Sequence, residues 1–538
     1  MHKKYLYIIP AIIAISFYAC SDRYLHTVKQ VKDHNHQESL TKITDDGQQV
    51  VTVPASTVYS RGPLHKLLFG SHYRHTWAVP VEAPYFDITQ ENGGMIILQK
   101  SGSRQTMGLR LTDTSGQEWV LRSVDKNPAS VLPEKMQRSW IAMIANDVTS
   151  SAHPYAAFTL PPMLAAAGIY HARPKLVYIP YDDALGEYRD EYGGMLALLE
   201  ERPEDDESLK AHFGNAENIK NTGNMLHALL SDNDAMVEPR LFLRCRLMDI
   251  LVGDWSRHED NWRWAYYKTE EGEIFRPIPR DRDNVYFKFD GIVPKLSVKS
   301  GLRKHFRTFK PEIKNVSSLN KSGRPLDELL LTNLSRQDWI EIADSLKLLL
   351  TDDVIEEGVK QFPPEVFTLD GQVIMDYLRS RRDMLTEVAM EYFDDLVEYP
   401  LIVTTDKHEE VNITNLSDGS VRVVIYKIKK DQDRDKLIFD QTYSPKHTKK
   451  INIYTLAGED VVKINFTGKA IPVYINGGAE ADEYILSNTL AKKYIVLEDT
   501  GLGDNIDQKG KAKIILNENP EANSFDANGW LLRYYIWD

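Results

Sequence analysis

The feature that most constrains this chain is an apolar helix followed at once by a highly charged loop. Residues 241–252 carry apolar side chains around most of a helical circumference, which predicts a helix that is buried on nearly all sides. Gly253 ends this pattern, and residues 253–264 are rich in Asp, Glu, Arg and His. A buried helix holds such a loop in one place, so the loop is a candidate functional site.

A second charged loop follows a predicted β-hairpin. Residues 264–268 and 274–278 are short runs of strand-forming residues joined by a Glu-Glu-Gly turn. The hairpin leads into Arg-Asp-Arg-Asp-Asn at residues 280–284. Magnesium ions in phosphate sites are held by carboxylate and amide oxygens, so two such loops brought together predict a metal-phosphate site.

The N-terminus predicts an envelope location. Two lysines precede an apolar run at residues 5–19, which is too short to span a bilayer as a mature helix. A small residue directly before Cys20 resembles a bacterial lipoprotein signal. We therefore expect residues 1–20 to form a lipoprotein signal with lipidation at Cys20, and the protein to be an outer-membrane lipoprotein on the periplasmic or the surface face. The alternative is an ordinary secretory signal.

Charge and cysteine content limit the partners of the chain. A net charge of −13 and the lack of a basic stripe argue against nucleic acid as a partner. Cys245 is the only cysteine besides Cys20, and it falls on the predicted buried helix, so we expect a core residue and no intrachain disulfide. The expected partners are the membrane, through the lipid anchor, and an envelope protein.

The elements predict an α+β protein with a β-rich part, a helical part and a second β-rich part. The expected boundaries are a flexible tether at residues 21–57, a β-rich lobe at 58–205, a helical lobe with the acidic loops at 206–398 and an all-β C-terminal domain at 399–538. Helical residues 134–168 are expected to be interrupted at Pro154 and at Pro161-Pro162. The sequence at residues 477–482 is similar to a calcium-binding turn, but as a single copy it is interpreted as a turn only.

These residues resemble the atypical kinase-like fold of the HipA-type, CotH-type and four-jointed-like kinases, over roughly residues 59–482. The catalytic loop of that family is matched at Gly253, Arg257, His258 and Asn261, and its metal-binding Asp-x-Asp is matched by Asp281 and Asp283. The sequence is also similar to uncharacterised bacterial outer-envelope proteins in which a kinase-like module and a small β domain are often fused to an outer-membrane barrel. The resemblance implies a two-lobed kinase-like module with a cleft that binds Mg²⁺ and ATP.

The resemblance assigns roles to residues of both lobes. Metal ligands are expected at Asn261, Asp281 and Asp283. Nucleotide contacts are expected at Ser101, at Arg122, which stands where the family has a lysine, and at Glu200. Catalytic-loop roles are expected at Asp254, Arg257 and His258.

The largest departure from the family is Ser256, which stands where the catalytic Asp belongs. A serine hydroxyl cannot act as the general base that accepts a substrate proton. Asp254 or Asp260 could replace it, or the chain could be a degenerate kinase fold that binds or scaffolds in the envelope. A metal-dependent phosphohydrolase is a third interpretation, and a salt-bridge network that caps the buried helix is the purely structural one.

Overall fold

The chain is an α+β protein with several separate sheets. The computed structural model describes residues 41–44, 47–101, 106–137, 139–301, 303–429, 433–487 and 494–517. The expected lipidation site Cys20 therefore lies outside the described residues. Within the ranges just given, no helix is both long enough and apolar enough to cross a bilayer.

A small antiparallel sheet begins the described part of the chain. Its strands are β1 Thr41–Ile43, β2 Gln49–Pro54 and β3 Pro80–Pro84. Val51 is buried and pairs with Ala83. The prediction of a flexible tether at residues 21–57 is therefore wrong for its last part, because the valines of β2 pack into the core instead of staying solvated.

A five-stranded antiparallel sheet carries the first of the predicted site residues. Its strands are β4 Met95–Ser101, β5 Thr106–Asp113, β6 Glu118–Lys126, β7 Lys175–Ile179 and β8 Met195–Glu201, in the spatial order β4-β5-β6-β8-β7. These strands lie within the predicted β-rich lobe at residues 58–205. Alternate side chains enter different cores: Leu121 and Leu199 pack with Phe86, while Val124 and Leu198 join the core of the helices.

Helices build most of the large core. They are α1 Pro63–Phe69, α2 Arg74–Ala78, α3 Trp140–Val148, α4 Leu160–Ala166, α5 Arg189–Tyr192, α6 Thr222–Ser231, α7 Pro239–Val252, α8 Ile292–Lys299, α9 Val316–Leu319, α10 Arg324–Leu330, α11 Arg336–Leu349, α12 Asp352–Val359, α13 Pro364–Val366, α14 Gln372–Asp383 and α15 Leu385–Leu396. The predicted interruption at Pro161-Pro162 is wrong. These prolines lie in the first turn of α4, where a missing backbone N–H costs no helical hydrogen bond.

Helix α7 is the buried helix that the apolar pattern predicts. Its residues from Phe242 on are buried almost without exception, and Gly253 ends it in the left-handed conformation at φ 73°. Two charged residues of this helix, Arg246 and Asp249, are also fully buried. The apolar pattern therefore locates the helix correctly but does not reveal that charges lie in its core.

The predicted hairpin is confirmed and belongs to a four-stranded sheet. Its strands are β9 Asn218–Asn221, β10 Ala235–Val237, β11 Trp262–Thr269 and β12 Gly272–Pro279, in the order β10-β12-β11-β9. Trp262 and Trp264 on β11 are fully buried and pack against Phe242 of α7. The hairpin therefore rests on α7, and the two charged loops leave this unit at neighbouring points.

Strands form the described part of the chain after Pro400. They are β13 Leu401–Val403, β14 Glu409–Asn415, β15 Val421–Ile428, β16 Arg434–Tyr443, β17 Ile451–Tyr454, β18 Val461–Asn465, β19 Val473–Asn476, β20 Glu483–Ser487, β21 Ile495–Asp499, β22 Asn505–Gln508 and β23 Lys513–Leu516. Two sheets result, with the orders β13-β17-β19-β21-β23 and β16-β15-β14-β18-β20-β22.

The later strands of these two sheets are parallel and repeat along the chain. β17, β19 and β21 stack in one sheet while β18, β20 and β22 stack in the other, so that each pair of strands forms one coil. Asp460, Asp482 and Asp504 occupy the same place in successive coils, 22 residues apart. The interpretation of residues 477–482 as a single turn without a repeat is therefore wrong. The copies share this Asp but differ at most of their glycines, which hides the repeat in the sequence.

Candidate functional site

The two predicted acidic loops lie against each other. The backbone N–H of Arg280 donates to the carbonyl of Asn261 over 2.8 Å. The Arg257 guanidinium spans the same gap, donating to the carbonyl of Asn261 over 3.1 Å and to that of Arg280 over 2.7 Å. The loop after α7 and the loop after the hairpin therefore form one continuous structure.

Arg122 connects the five-stranded sheet to the second loop. Its Nη1 lies 3.2 Å from Asp281 Oδ1, and its Nη2 lies 3.0 Å from Glu200 Oε2 and 3.6 Å from Asp283 Oδ1. Lys126, four residues further along β6, places its Nζ 2.7 Å from Asp283 Oδ2. We call these five residues the cleft cluster. Each of its three carboxylates is paired with a cation of the chain itself.

The charges of the cleft cluster shift the pKa values of its members. Burial raises the pKa of Glu200, although Arg122 opposes the shift. Burial alone would also raise the pKa of Asp281, but the positive charges of Arg122 and Lys126 outweigh it and hold the pKa below its usual range. Burial lowers the pKa of Arg122, and the three carboxylates more than reverse this. The opposite charges of Arg122 and Asp281 therefore favour the ionised form of both, whereas burial disfavours the ionised form of Glu200.

Asp254 lies in a different network, beneath the loops. It is 1% exposed, its Oδ1 accepts from the backbone N–H of Ser256, and its Oδ2 lies 3.3 Å from Arg282 Nη1. Burial raises its pKa to about 6. A general base must reach the proton that it accepts, and this carboxyl faces the interior. The geometry thus argues against the catalytic role expected for Asp254.

Asp249 of α7 is the centre of this interior network. Its carboxylate lies 2.7 Å from Arg246 Nη1 and 3.2 Å from Arg257 Nε, and it also pairs with Arg282. Arg257 is 1% exposed, pairs with Asp249 and donates to the carbonyls of both loops. These contacts are in line with the salt-bridge interpretation, and the catalytic-loop role of Arg257 stays a prediction.

The rest of the first loop contains a group of possible metal ligands. His258, Glu259 and Asp260 each offer one ligand atom, and these atoms lie within 4.8 Å of one another. Asp260 is exposed and His258 is half-buried. Side chains on an exposed loop often gather in this way without a metal, so the group does not by itself define a site.

Asn261 is the predicted ligand whose surroundings fit a metal best. It is 2% exposed, and its Oδ1 is buried without a hydrogen-bond partner among the described residues. Its backbone contacts Arg280, the residue directly before Asp281. A buried amide oxygen without a donor is costly unless a ligand satisfies it.

Ser101 lies apart from the cleft cluster. It pairs with Gly108 on β5, and Gly108 pairs with Arg122 on β6, so the three residues form one row across the sheet. None of the ion pairs that define the cluster involves Ser101, and residues 102–105 lie outside the described residues. Gly108 leaves the space between Ser101 and Arg122 without a side chain, since a Cβ there would lie 2.6 Å from Ser101 Oγ.

Sequence reasoning did not identify four residues of these networks, namely Lys126, Arg246, Asp249 and Arg282. Lys126 could have been found, because it is four residues after Arg122 on a strand and therefore on the same face. Arg246 and Asp249 carried a signal as well, since two opposite charges three residues apart lie on one face of a mostly apolar helix. Arg282, between the two expected metal ligands, points inward to Asp249 and Asp254.

A mostly apolar cavity lies away from the cleft cluster. A cavity of about 260 Å³ is enclosed by residues 229–237 of the helical part and by strands β13, β15 and β16, and its walls are mostly apolar. It does not touch the cleft cluster. The acidic loops and the cavity are therefore separate features.

Comparisons with known proteins give little further guidance. Neither a protein-family model nor a curated protein matches the chain. A search of solved structures returns a proinflammatory kinase of Helicobacter pylori, CtkA, at 12% sequence identity and a TM-score of 0.29, over 56% of this chain and 96% of that chain. A similarity of this size does not establish a shared fold, and the kinase-like architecture remains a prediction from sequence motifs and site geometry.

Proposed function

We propose that this protein is an envelope lipoprotein whose kinase-like module is catalytically degenerate and serves binding or scaffolding. The observation that carries the proposal is the cleft cluster, in which Arg122 and Lys126 pair with Glu200, Asp281 and Asp283, so that two cations offset most of the charge of three carboxylates. A divalent cation would have to displace two internal cations before it could use these carboxylates.

The missing base supports the same proposal. Ser256 occupies the position of the catalytic Asp, and a hydroxyl does not accept a substrate proton at neutral pH. Asp254, the nearest alternative, is buried between Arg257 and Arg282. Asp260 remains the only exposed carboxylate of the expected loop, outside the contact between the two loops.

The direct test is thermal denaturation of the mature chain with Mg²⁺ alone, with ATP and a chelator, and with Mg²⁺ plus ATP, each at millimolar concentration. Specific ligands stabilise the folded state by mass action. If the site binds none of these ligands, the melting temperature shows no saturable shift. Phosphate transfer from labelled ATP is expected to be absent as well. A saturable shift that Asp281→Asn abolishes, and that the exposed control Asp435→Asn keeps, would contradict the proposal.

A second candidate is a Mg²⁺-nucleotide-binding phosphotransferase. The unpartnered Oδ1 of Asn261, next to the loop of Asp281, is the observation that favours it. Asn261, Asp281 and Asp283 would hold the ion, and Arg122 and Lys126 would turn from the carboxylates to the phosphates. The two candidates separate in the same experiment, because only the second requires Asn261→Ala to reduce the effect of Mg²⁺ plus ATP.

The envelope location rests on the sequence around Cys20. The expected partners are the lipid bilayer, through an acyl anchor, and a protein of the envelope. Metabolic labelling with a radioactive fatty acid should label the wild-type chain and not Cys20→Ser. Label on both chains would contradict the anchor, and absence of label on the wild type would favour an ordinary secreted protein.

A further inference from the structure

The coils of the C-terminal sheets stack acidic residues in a row. The backbone N–H of Glu409 donates to Asp460 Oδ1 over 2.7 Å, that of Asp460 to Asp482 Oδ1 over 2.9 Å, and that of Asp482 to Asp504 Oδ1 over 3.1 Å. Neighbouring strands are about 4.8 Å apart, so these carboxylates follow one another at that spacing. We call Asp460, Asp482 and Asp504 the acid ladder.

The buried members of the ladder have no compensating positive charge. Asp460 is 1% exposed, Asp482 is 2% exposed, and the neighbouring Asp499 is fully buried. Across the described ranges of the chain, none of the ion pairs formed by lysine, arginine or histidine includes any of these three carboxylates. A buried charge without a partner is strongly destabilising, so the site requires a cation or bound protons.

Hydrogen bonds within the protein do not compensate the buried carboxylates completely, and two contacts show this. Asp460 Oδ2 is buried and has no hydrogen-bond partner in the described structure. The Tyr484 hydroxyl lies between Asp482 Oδ2, at 2.9 Å, and Asp499 Oδ2. A phenol carries one hydrogen, so it can donate to only one of these two carboxylates. Burial raises the pKa of Asp482 to about 8, a further sign that negative charge is poorly compensated there.

The turns between the coils are tightly packed. Gly478 has φ 85°, and a Cβ at this position would lie 1.8 Å from the carbonyl oxygen of Leu456 in the preceding coil. Gly458 stands in the same relation to the carbonyl of Lys407, at 2.2 Å. Glycine is therefore required where one coil approaches the next. The ligand atoms that direct contacts bring together are carboxylate and phenol oxygens.

We propose that the acid ladder binds a divalent cation of the calcium class, centred on Asp482, with Asp460 and Asp499 supplying further carboxylate oxygens. Calcium accepts irregular sets of oxygen ligands that include backbone carbonyls, whereas magnesium demands octahedral geometry. Parallel β coils with an aspartate at the same place in each turn are a known architecture for calcium. The cation would supply the positive charge that the chain itself does not place there.

The test is calcium titration of the full mature chain, followed by tyrosine-sensitised terbium luminescence, for which Tyr484 is a suitable donor. The wild type should bind saturably, and calcium should raise its melting temperature over that in chelator. Asp482→Asn and Asp460→Asn should weaken binding at least tenfold. The matched control Asp435→Asn, an exposed aspartate of β16, and the cleft variant Asp281→Asn should bind as the wild type does.

Several outcomes would overturn the proposal. Absence of saturable binding at millimolar calcium would show that protons, not a cation, neutralise the ladder. Unchanged binding in both Asp460→Asn and Asp482→Asn, or its loss in Asp281→Asn, would place the ion elsewhere. Should Asp482→Asn fail to fold, Asp460→Asn still decides, since an amide oxygen can accept the hydrogen bond from Glu409.

Discussion

The cleft cluster and the acid ladder are two groups of carboxylates with opposite electrostatic conditions. In the cleft cluster, Arg122 pairs with all three acids and Lys126 pairs with Asp283. In the ladder, the buried Asp460 and Asp482 are without an ion-pair partner in the described structure. In the motif that resembles a metal site every carboxylate has an ion-pair partner from the chain, and in the motif that resembles an ordinary turn the described buried carboxylates have none.

This difference teaches that the number of acidic residues in a motif does not determine whether a cation binds. What decides is whether the fold has brought a positive side chain to the same place. Asp281 and Asp482 look alike in a sequence. Strand β6 places Arg122 beside Asp281, whereas the strands that pair beside Asp482 belong to neighbouring coils of the acidic repeat. Substitution of one charged partner at a time shows whether that partner stabilises or destabilises the fold.

The largest effect is expected from Asp249→Asn. This change leaves Arg246, Arg257 and Arg282 in the interior with less negative charge, because Asp249 pairs with all three. Breaking a buried ion pair from one side typically costs about 3–5 kcal/mol. Urea denaturation should show a loss of this size, with Asp435→Asn unchanged. A loss below about 1 kcal/mol would mean that the arginines find other partners.

Arg122→Gln should have the next largest effect. Glu200 and Asp281 would lose their closest cation, and we expect a loss of about 1–3 kcal/mol in the absence of metal, because both partners are only partly buried. The informative readout is a comparison of melting temperatures with and without Mg²⁺. Magnesium should stabilise Arg122→Gln and leave the wild type unaffected. Equal responses would show that Arg122 does not occupy the place of a metal.

The effect of Asp460→Asn on stability is expected to change sign when calcium is added. In chelator the variant should be more stable than the wild type by about 1–2 kcal/mol, because an amide removes an unpaired buried charge while keeping an acceptor for Glu409 N–H. With calcium present the wild type should be the more stable of the two. Denaturation of both chains in both buffers measures this. A variant that is less stable under both conditions would indicate that Asp460 acts through packing alone.

The smallest effect is expected at Glu410, which directly follows the Glu409 that donates to Asp460 but faces Arg434 and Lys463. Burial alone would raise its pKa, but hydrogen bonds from these two cations lower the pKa to about 2. A lowered carboxyl pKa stabilises the fold above the ordinary value of 4.5 and loses this contribution as the pH falls toward about 2. Glu410→Gln should therefore cost less than about 1 kcal/mol at neutral pH, since both cations are half exposed.

The pH dependence of the stability difference between the wild type and Glu410→Gln is the control. Denaturation of the wild type and of Glu410→Gln at several pH values should show the gap closing below about pH 4.5, where the wild-type carboxylate begins to lose its advantage. A gap that stays constant down to acid pH would show that the ion pairs contribute nothing. A large gap at neutral pH would place Glu410 among the structurally essential charges.

Local sequence patterns predicted much of the fold. The apolar period of α7, Gly253 at its end, the hairpin β11–β12 and the strands of the five-stranded sheet all follow from side-chain periodicity and turn residues. Ser335 as the cap of α11 was also readable, and it forms a capping box with Asp338. These features depend on residues close together in the chain, which explains why a sequence reveals them.

Long-range pairings explain what could not be predicted. The inward direction of Asp254 depends on Arg282 reaching it from 28 residues away, and no local pattern encodes that contact. The contact of the two charged loops was expected, but the neutralisation of Asp281 by a residue 159 positions earlier was not. The coil repeat was missed because its copies share little besides the ladder aspartate and alternating apolar residues.

The contrast between the two acidic groups is tested most directly by a crystal structure of the full mature chain grown in calcium, with anomalous diffraction data collected at long wavelength. We predict an anomalous peak within bonding distance of the Asp482 carboxylate and none beside Asp281 or Asp283. A peak in the cleft cluster with an empty ladder would contradict the central claim that the chain's own cations decide where metal binds.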